Sequence, residues 1–560
     1  MLNGNEIKIN AAILINLPEA NMSEDRLWWK HGVMYQIYPR SFYDANGDGT
    51  GDIPGITAKL DYLKDLGIEG IWLSPINVSP MFDFGYDVSD YNNIDPAFGN
   101  LADFERLLSE AHNRGIRIIM DLVMNHSSHL HPWFIESASS RDNPKRDWYI
   151  WKDPVKGRSP NNWMAAFGGR AWELDEKTGQ YYLHLFLTEQ PDVNWRNPGL
   201  KNAMFDMIRF WLDKGVDGFR LDVCNFFVKD ALFRSNPFGL GPNAPRPYDL
   251  QNHIYDRDQP ETHGILKEFR SMLDGYSERM SVGEIGVENA GGNPEIASGY
   301  YGSGNDELHL VFDFSHMNSK WGADIFYKRI RDWQAQIPNG GWPCHVFNNH
   351  DQFRSFSRYA KGAESIPRAK LIAAMLLTLK GTPFIYYGEE LGMTNGNIPK
   401  KMLHDPLGIR YWPFHPGRDP ERTPMQWSDA PGAGFSTASP WLPVNDDYDV
   451  VNVEAQLADR NSILHIYKGL IALRKDHKAL QRGEWIPVIE AKNDILAYKR
   501  VHENEVMLIV LNFSNAAKKA QLGSPILETV FSTHRFNGSL IKGQEVNLMP
   551  YEASIFNCKK

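Results

Sequence analysis

The sequence predicts an α/β fold: a (β/α)8 TIM barrel with an inserted domain after the third strand and an all-β C-terminal domain. Short apolar segments recur between Val33 and Tyr387, and most are separated by segments with the periodicity of amphipathic helices. Such alternation is typical of parallel strands joined by helices. Beyond Ala479 the chain changes to alternating apolar and polar residues, which favours antiparallel strands.

The apolar segments predict eight barrel strands. Segments such as Ile116–Val123 are rich in β-branched residues and nearly continuous, as expected for strands buried on both faces. In chain order the predicted strands are Val33–Tyr38, Gly70–Ser74, Ile116–Val123, Gly218–Asp222, Met280–Glu284, Leu310–Phe314, His345–His350 and Pro383–Tyr387.

Helices are predicted between most of these strands. Leu101–Arg114 places its apolar residues at helical spacing, so that they share one face, and Gly115 ends the segment. Ala203–Lys214 repeats this pattern before Gly215.

Long connections and a change of pattern define the predicted domains. The stretch 126–197 is rich in Trp, Asp, Pro and Gly, and connections of this length are uncommon unless they are functional. The predicted domains are an N-terminal extension (1–27), the barrel (28–125 and 198–479, including an excursion at 392–446), the inserted domain (126–197) and a C-terminal β-sandwich domain (480–560).

The composition of the chain limits which binding partners and which cellular compartment are expected. A formal net charge of -10 argues against a nucleic-acid partner. No apolar run approaches the roughly 20 residues of a membrane span, so no membrane partner is expected. The N-terminal AAILINLP is expected to be an extension rather than a signal peptide. Only three cysteines, Cys224, Cys344 and Cys558, favour a reducing, cytoplasmic location. We expect a monomer or a weak homo-oligomer.

Four short stretches place acids at the carboxyl ends of predicted strands. They are DLVMNH (Asp121–His126), GFRLD (Gly218–Asp222), VGE (Val282–Glu284) and NNHD (Asn348–Asp351). The carboxyl ends of barrel strands form one face of the barrel, and active sites lie there. Acids gathered at one place raise each other's pKa, so their convergence is costly without a function. These stretches therefore predict a catalytic site.

Five further motifs accompany these stretches: HGVMYQIYPRSF, GIEGIWLSP, QPDVNW, GTPFIYYGEE and RTPMQW. From about Trp28 to the C-terminus, the chain resembles the α-amylase superfamily of retaining α-glycosidases. Within that group it is similar to the α-glucosidase and oligo-1,6-glucosidase branch. The resemblance implies that the substrate is a small oligosaccharide or disaccharide.

The resemblance also implies three catalytic acids. Retaining glycosidases need a carboxylate nucleophile and a protonated carboxyl group about 5–5.5 Å apart. Asp222 matches the nucleophile, and Arg220, on the same face of the strand, is expected to lower its pKa. Glu284, which follows the small Gly283, matches the general acid and base. Asp351 matches a third acid that holds sugar hydroxyls and favours the distorted ring.

Other matching residues are implied to hold the terminal glucose. Tyr86 matches a stacking platform, Asp83 a clamp on the far hydroxyls, and Arg422 the arginine that pairs with this clamp. A pocket closed in this way accepts a chain end, which implies exo action. His126 and His350 match residues that bond sugar hydroxyls.

Positions beside the terminal glucose bear on specificity. Phe167, Phe186 and Gln190 match residues at the mouth of the pocket, with ordinary packing in the inserted domain as the alternative. Val223 follows Asp222 and matches family members that cleave α-1,6 bonds or accept several linkages, with strand packing as its alternative.

A glycine-rich loop predicts a cation site. Oxygen ligands at alternate positions suit a hard ion such as Ca²⁺, with Mg²⁺ as an alternative. The twelfth position is Gly55 rather than Glu, so the loop is not an EF-hand. The resemblance implies a structural cation here, and a loop of Asx turns without an ion is the alternative. The predicted ligands are Asp44, Asn46, Asp48, Thr50 and Asp52.

We therefore expect a retaining exo-α-glucosidase that hydrolyses α-1,6 and/or α-1,4 bonds of short oligosaccharides from the non-reducing end. The alternative is an α-glucosyl transferase or an isomerase, of the sucrose isomerase or trehalose synthase type. It would use the same acids with a sugar acceptor in place of water. Ser315–Ser319 stands where sucrose isomerases of the family carry an Arg–Asp-rich stretch, which favours hydrolysis. A non-catalytic scaffold is disfavoured by the intact set Arg220, Asp222, Glu284 and Asp351.

Overall fold

The structure is a computed structural model that describes residues 27–241, 246–286, 293–359, 361–534 and 543–559. The N-terminal extension predicted for residues 1–27 lies outside these ranges except for Leu27. Within the described ranges, no helix is both long enough and apolar enough to cross a bilayer.

The strands form a barrel and three smaller sheets. In chain order they are β1 (Met34–Ile37), β2 (Gly70–Leu73), β3 (Asn77–Val78), β4 (Asp90–Ile94), β5 (Arg117–Leu122), β6 (Trp151–Lys152), β7 (Trp172–Asp175), β8 (Gln180–Leu183), β9 (Gly218–Leu221), β10 (Met280–Gly283), β11 (Leu310–Asp313), β12 (Cys344–Val346), β13 (Thr382–Tyr386), β14 (Glu484–Lys492), β15 (Ile495–His502), β16 (Glu505–Asn512), β17 (Lys518–Ser532), β18 (Gly543–Leu548) and β19 (Ala553–Cys558).

Eight strands close into a parallel barrel in the order β1-β13-β12-β11-β10-β9-β5-β2. They coincide with the eight predicted strands, so the predicted barrel is confirmed. Strand β12 ends at Val346, before the predicted end at His350. The reason is a local turn in which the Asn349 side chain accepts the Asp351 amide at 2.9 Å, so the backbone leaves the sheet early.

Helices surround the barrel, and alternate strand residues separate two buried regions. Trp72, Ile119 and Phe312 belong to one cluster inside the barrel, whereas Ile118 and Val311 join the larger core between strands and helices. The helices are α1 (Trp28–His31), α2 (Ile53–Ala58), α3 (Leu60–Leu66), α4 (Leu101–Asn113), α5 (Pro132–Ser139), α6 (Pro198–Asp213), α7 (Glu261–Leu273), α8 (Pro294–Gly299), α9 (Ala323–Gln336), α10 (Ser355–Tyr359), α11 (Ser365–Thr378), α12 (Pro406–Tyr411), α13 (Val453–Ala458), α14 (Ile463–Asp476) and α15 (Lys478–Arg482).

An inserted segment between β5 and β9 carries a three-stranded antiparallel sheet in the order β6-β8-β7. A buried ion pair fastens this segment to the barrel: Lys229 Nζ lies 2.6 Å from Asp192, and neither side chain is exposed. Lys229 also donates to Asn125 Oδ1 at 2.8 Å, and Asp192 accepts the Leu185 amide at 3.0 Å. One lysine thus joins the loops after β9 and β5 to the inserted segment.

The C-terminal part of the chain forms a six-stranded antiparallel sheet in the order β14-β15-β16-β19-β17-β18, as expected for an all-β region. Along β16, Met507 and Ile509 join the core beneath the barrel helices, whereas Leu508 and Val510 belong to a second cluster on the opposite face. Both faces are therefore buried. The boundaries proposed for the individual domains remain predictions.

Candidate active site

A cavity of about 510 Å³ opens where the barrel strands end. Most of the residues predicted for the site form its wall, and these are Asp83, Tyr86, His126, Phe167, Phe186, Asp222, Glu284 and Asp351. The others lie behind the wall and contact it, and these are Gln190, Arg220, His350 and Arg422.

Arg220, on β9, is buried and contacts three acids. Its Nη1 donates to Asp121 Oδ1 at 2.7 Å and to Asp222 Oδ1 at 2.8 Å. Its Nη2 donates to Glu284 Oε2. Asp222 directly follows β9 and Glu284 directly follows the neighbouring β10, so closure of the barrel brings the two carboxyl groups to one guanidinium.

Burial dominates the pKa of both carboxyl groups. It raises the pKa of Asp222 well above its usual range, with Arg220 offsetting part of the effect, and it also raises the pKa of Glu284. The expected effect of Arg220 is present, since its charge lowers the pKa of Asp222, but burial outweighs that effect in this cavity. The negative charge of Glu284 adds to the rise in the pKa of Asp222.

Asp351 differs from these two acids because two arginines reach it. Arg422 Nη2 lies 2.8 Å from Asp351 Oδ1, and Arg418 Nη1 lies 3.3 Å from the same oxygen. Burial would raise the pKa of Asp351, but His350, Arg418 and Arg422 together hold it well below its usual range. Asp351 is therefore a fixed negative charge in the wall of the cavity.

The arginine that pairs with Asp83 is Arg418, not Arg422 as predicted. Arg418 Nη2 donates to Asp83 Oδ1 at 2.7 Å and to Asp405 Oδ1 at 2.6 Å. Arg422 turns instead towards the loop after β12, where its Nε donates to the His350 carbonyl at 2.8 Å. The two arginines stand four residues apart on one short 3₁₀ turn, and only the path of the backbone decides which of them reaches Asp83.

Tyr86 and His350 form a stacked pair at the wall. Their rings are nearly parallel, at 4°, with centroids 5.4 Å apart, and Tyr86 Oη lies 2.6 Å from His350 Nε2. His350 Nδ1 lies 2.8 Å from Gln36 Nε2. Because the protein engages both ring nitrogens, His350 supports Tyr86 from behind. The predicted bonding of His350 to sugar hydroxyls is not what this geometry favours.

Gln190 connects the clamp residue to the wall supplied by the inserted segment. Its Nε2 donates to Asp83 Oδ2 at 3.1 Å and lies 3.1 Å from His126 Nε2. Burial lowers the pKa of His126 to about 4, so this ring is neutral at neutral pH. The ring centroid of Phe186 lies 5.1 Å from that of His126 and 5.8 Å from that of Phe167, which it meets edge-to-face. Both phenyl rings also line the cavity, so they serve in packing and in the cavity wall.

Val223 follows Asp222 in a strained conformation. Its φ of 33° lies in the left-handed region, which is costly for a β-branched residue. The side chain lines the cavity and belongs to the same buried cluster as Trp163 and Leu185 of the inserted segment. Such strain persists where the surrounding structure enforces it, often at functional sites.

The wall of the cavity also contains residues that were not among the predicted site residues. Phe314, Met317 and Asn318 come from the turn after β11, and Phe353, which is 42% exposed, comes from the loop after β12. Rings and an amide at this place suit a second sugar ring beyond the bond to be cleaved.

The loop predicted to bind Ca²⁺ is shaped by its own acids. Asp44 accepts the amides of Gly47 and Gly49 at 2.7 and 2.8 Å, and Asp52 caps α2 through the Gly55 amide at 2.6 Å. All the predicted ligands carry oxygen atoms, a donor set that fits a hard cation. These turns are compatible with a loop that holds an ion and with one that holds none.

A second group that could hold a metal lies outside the cavity. It consists of Asp313, His316 and His345, all three buried. Its ring nitrogens differ from the all-oxygen set of the predicted loop, and the sequence analysis did not single it out.

Three residues of the acid and arginine network were missed from the sequence: Asp121, Arg418 and Asp405. Asp121 accepts hydrogen bonds from Trp72, Tyr86 and Arg220. Its signal was present, because it ends a buried strand in DLVMNH. Arg418 and Asp405 lie in the 392–446 excursion, where no periodicity indicates which side chains turn inward.

Comparison with known proteins agrees with this geometry. Residues 36–483 match the family model of the α-amylase catalytic domain. The chain is 45% identical over 518 residues to a probable α-glucosidase of Rhizobium meliloti (strain 1021), a match that covers 90% of this chain and 93% of that protein. It is 42% identical over 571 residues to an oligo-1,6-glucosidase of Parageobacillus thermoglucosidasius, with coverage of 96% and 100%.

A solved structure, that of an α-glucosyl transfer enzyme, is also similar. It is 39% identical to this chain and superposes with a TM-score of 0.89, covering 95% of this chain and 100% of that one. The chain therefore belongs to the α-amylase family, as a glycoside hydrolase of the α-glucosidase and oligo-1,6-glucosidase type.

Proposed function

We propose that the protein is a retaining exo-α-glucosidase that releases glucose from the non-reducing end of short α-1,6- and/or α-1,4-linked oligosaccharides. The observation that carries this proposal is the guanidinium of Arg220, which contacts Asp222 and Glu284 through different nitrogen atoms. Such bridging keeps the two carboxyl groups close, and the retaining mechanism needs a separation of about 5–5.5 Å.

In the proposed first step, Asp222 attacks the anomeric carbon and Glu284 gives its proton to the departing oxygen. In the second step, Glu284 takes a proton from water, which opens the glucosyl ester on Asp222. The raised pKa of Glu284 and the low pKa of Asp351 support these roles, since the acid must be protonated while another negative charge faces the positive sugar ring.

Exo action is supported by the closed end of the cavity. Arg418 donates to one carboxylate oxygen of Asp83 and Gln190 to the other, so Asp83 is held in the wall of the cavity from two sides. A chain end fits this arrangement, because the far hydroxyls of a terminal glucose would meet a charged wall. The middle of a polysaccharide would need an exit at that point.

Glucosyl transfer is the second candidate, and the similarity to a solved α-glucosyl transfer enzyme favours it. Hydrolysis and transfer share the glucosyl ester and differ in the acceptor that enters beside Phe314 and Phe353. Incubation with isomaltose, maltose, trehalose and sucrose, followed by chromatography, separates them. A hydrolase yields glucose at every substrate concentration. A transferase or isomerase yields new disaccharides or trisaccharides with little free glucose.

Replacement of the nucleophile tests the mechanism. Asp222→Asn is expected to lower kcat by about 10⁴ or more, and a fluorinated glucosyl fluoride should label Asp222 in the parent, as mass spectrometry would show. The matched control is Asp206→Asn, on the exposed face of α6, which should keep parental activity. Activity of Asp222→Asn within about tenfold of the parent, or a label on another residue, would reject the assignment.

We further propose that the loop from Asp44 to Asp52 holds a structural Ca²⁺ or Mg²⁺, and that the protein is cytoplasmic. The oxygen-only donor set supports the first proposal, and three free, buried thiols support the second. A chelator should lower the melting temperature, because an ion bound only to the folded state stabilises that state. Asp48→Asn should melt at the same temperature with and without chelator. An unchanged melting curve for the parent would favour the loop without an ion.

A further inference from the structure

In the group formed by Asp313, His316 and His345, one carboxylate oxygen faces two histidine rings. Asp313 ends β11, and His345 lies opposite it on β12. His316 comes from the 3₁₀ turn that follows β11. All three side chains are essentially unexposed, in the layer between the barrel strands and the helices around them.

Two distances distinguish this group. Asp313 Oδ2 lies 3.3 Å from His345 Nδ1 and also 3.3 Å from His316 Nε2. Four other histidines bond one carboxylate at 2.6–2.8 Å, in the pairs His112–Asp217, His253–Asp256, His263–Glu307 and His477–Glu505. Two more, His350 and His309, lie 3.4 and 4.0 Å from Asp351 and Asp274, but neither of these carboxylates faces two rings at equal distance. The carboxylate of Asp313 is therefore too far from either ring for a short charged hydrogen bond, yet it faces both.

The hydrogen bonds of His345 leave a lone pair directed at the carboxylate. Its Nε2 lies 3.0 Å from the Lys380 carbonyl, an acceptor, so this nitrogen carries the proton of a neutral ring. Nδ1 lies 3.3 Å from Asp313 Oδ2, and in a neutral ring it is an acceptor that faces another acceptor. Two facing lone pairs need a proton or a cation between them. Metal-ligating histidines commonly give their other N–H to a backbone carbonyl, as His345 does.

His316 supplies the independent sign of a missing partner. The side chain is fully buried, and neither ring nitrogen forms a hydrogen bond within the described residues. Its ring stacks on Phe347 at 4.9 Å, which fixes the orientation of Nε2 towards Asp313. A buried polar atom without a hydrogen-bond partner lowers the stability of the fold by about 1–3 kcal/mol, so the lack of a partner for Nε2 calls for an explanation.

We propose that Asp313, His316 and His345 bind a divalent transition metal ion, best matched by Zn²⁺, that ties the end of β11 to β12. Zn²⁺ takes imidazole and carboxylate ligands at about 2.0–2.2 Å in tetrahedral geometry, which separates the ligand atoms by roughly 3.3–3.5 Å. The two observed separations have this value. The mixed nitrogen and oxygen set differs from the all-oxygen sets that Ca²⁺ and Mg²⁺ prefer.

The position of the group gives the ion a structural role with a link to the cavity. The turn that carries His316 also supplies Phe314, Met317 and Asn318 to the mouth of the cavity. An ion on His316 would fix this turn from its buried side. None of its three residues lines the cavity, so we assign the group no part in the bond-breaking steps.

The test uses full-length protein without a polyhistidine tag, expressed in medium containing Zn²⁺ and, separately, Co²⁺. After desalting, elemental analysis should find about one Zn²⁺ per chain, and the Co²⁺ protein should show the visible absorption of a four-coordinate site. His316→Gln and His345→Gln should each lose at least nine-tenths of the bound metal. His112→Gln, which alters another histidine–aspartate pair, should keep it.

Measurement of Ca²⁺ in the same samples keeps this site distinct from the Asp44–Asp52 loop. Asp48→Asn should lower bound Ca²⁺ and leave Zn²⁺ unchanged. Less than a tenth of an equivalent of metal in both parent preparations would overturn the proposal and assign the group to a protonated histidine beside Asp313. Equal metal in the parent and in His316→Gln would also overturn it. If both histidine variants fail to fold, the Co²⁺ spectrum of the parent decides alone.

Discussion

Arg418→Lys tests the contact that closes the cavity. Arg418 donates to Asp83 through Nη2, to Asp405 through Nε and Nη2, and to Asp351 through Nη1. Lysine keeps the charge but presents one nitrogen, which cannot reproduce a planar fork with contacts on three carboxylates. At least one charge-assisted hydrogen bond, worth about 1.5–3 kcal/mol, should be lost.

That loss corresponds to a decrease of roughly 10- to 150-fold if it falls on the binding of the terminal sugar in the transition state. The assay is kcat/KM for maltose and isomaltose, with Arg410→Lys as the control, because Arg410 donates to the backbone carbonyls of Phe167 and Gly168 rather than to an acid of the clamp. A value for Arg418→Lys within about threefold of the parent would refute the reasoning. It would return Arg422 to the role of partner for Asp83.

Three further outcomes are expected. Glu284→Gln should lose far more activity on isomaltose than on a nitrophenyl glucoside, because an activated leaving group departs without a proton, and equal losses would contradict its role as the acid. Val223→Thr should shift the ratio of kcat/KM for isomaltose and maltose towards maltose by about 10- to 200-fold, since this residue lines the cavity beside Asp222, whereas an unchanged ratio would move linkage choice to the 392–446 excursion. Burial lowers the pKa of His126, His131 and His184 to about 4, below the usual value of about 6.5. As pH falls from about 6.5 to 4, the unfolded chain therefore binds more protons than the folded chain, and each histidine should lower the free energy of unfolding by about 2 kcal/mol at pH 5. The urea concentration at the unfolding midpoint should then be lower at pH 5 than at pH 7. An equal midpoint at both pH values would count against neutral buried rings.

The barrel could be predicted because its pattern is local and repeated. Each strand, such as β5, is a short β-branched run, and each catalytic acid follows such a run directly. For Asp222 and Glu284, strand order alone places both at the same face, so no tertiary contact had to be known.

The arginine partner of Asp83 could not be assigned correctly, because the path of an irregular loop decides which arginine reaches it. Arg418 and Arg422 carry the same chemistry on one turn, and the contact with Asp83 spans a separation along the chain that no periodicity encodes. The pKa of Asp222 was missed for a related reason. The sequence shows the neighbouring Arg220, but it does not show how completely the folded cavity removes water.

The ion pair of Lys229 with Asp192 has a consequence for how the enzyme fails on heating. Separation of these fully buried groups would leave two uncompensated charges, at a cost of about 3–5 kcal/mol. We therefore expect the inserted segment to be either docked on the barrel or fully detached, with no stable intermediate. It carries Phe186 and Gln190, and its release would dismantle one side of the cavity while the barrel strands stay paired. Inactivation should then run ahead of the loss of helical signal, and the first protease cuts should fall within 126–197.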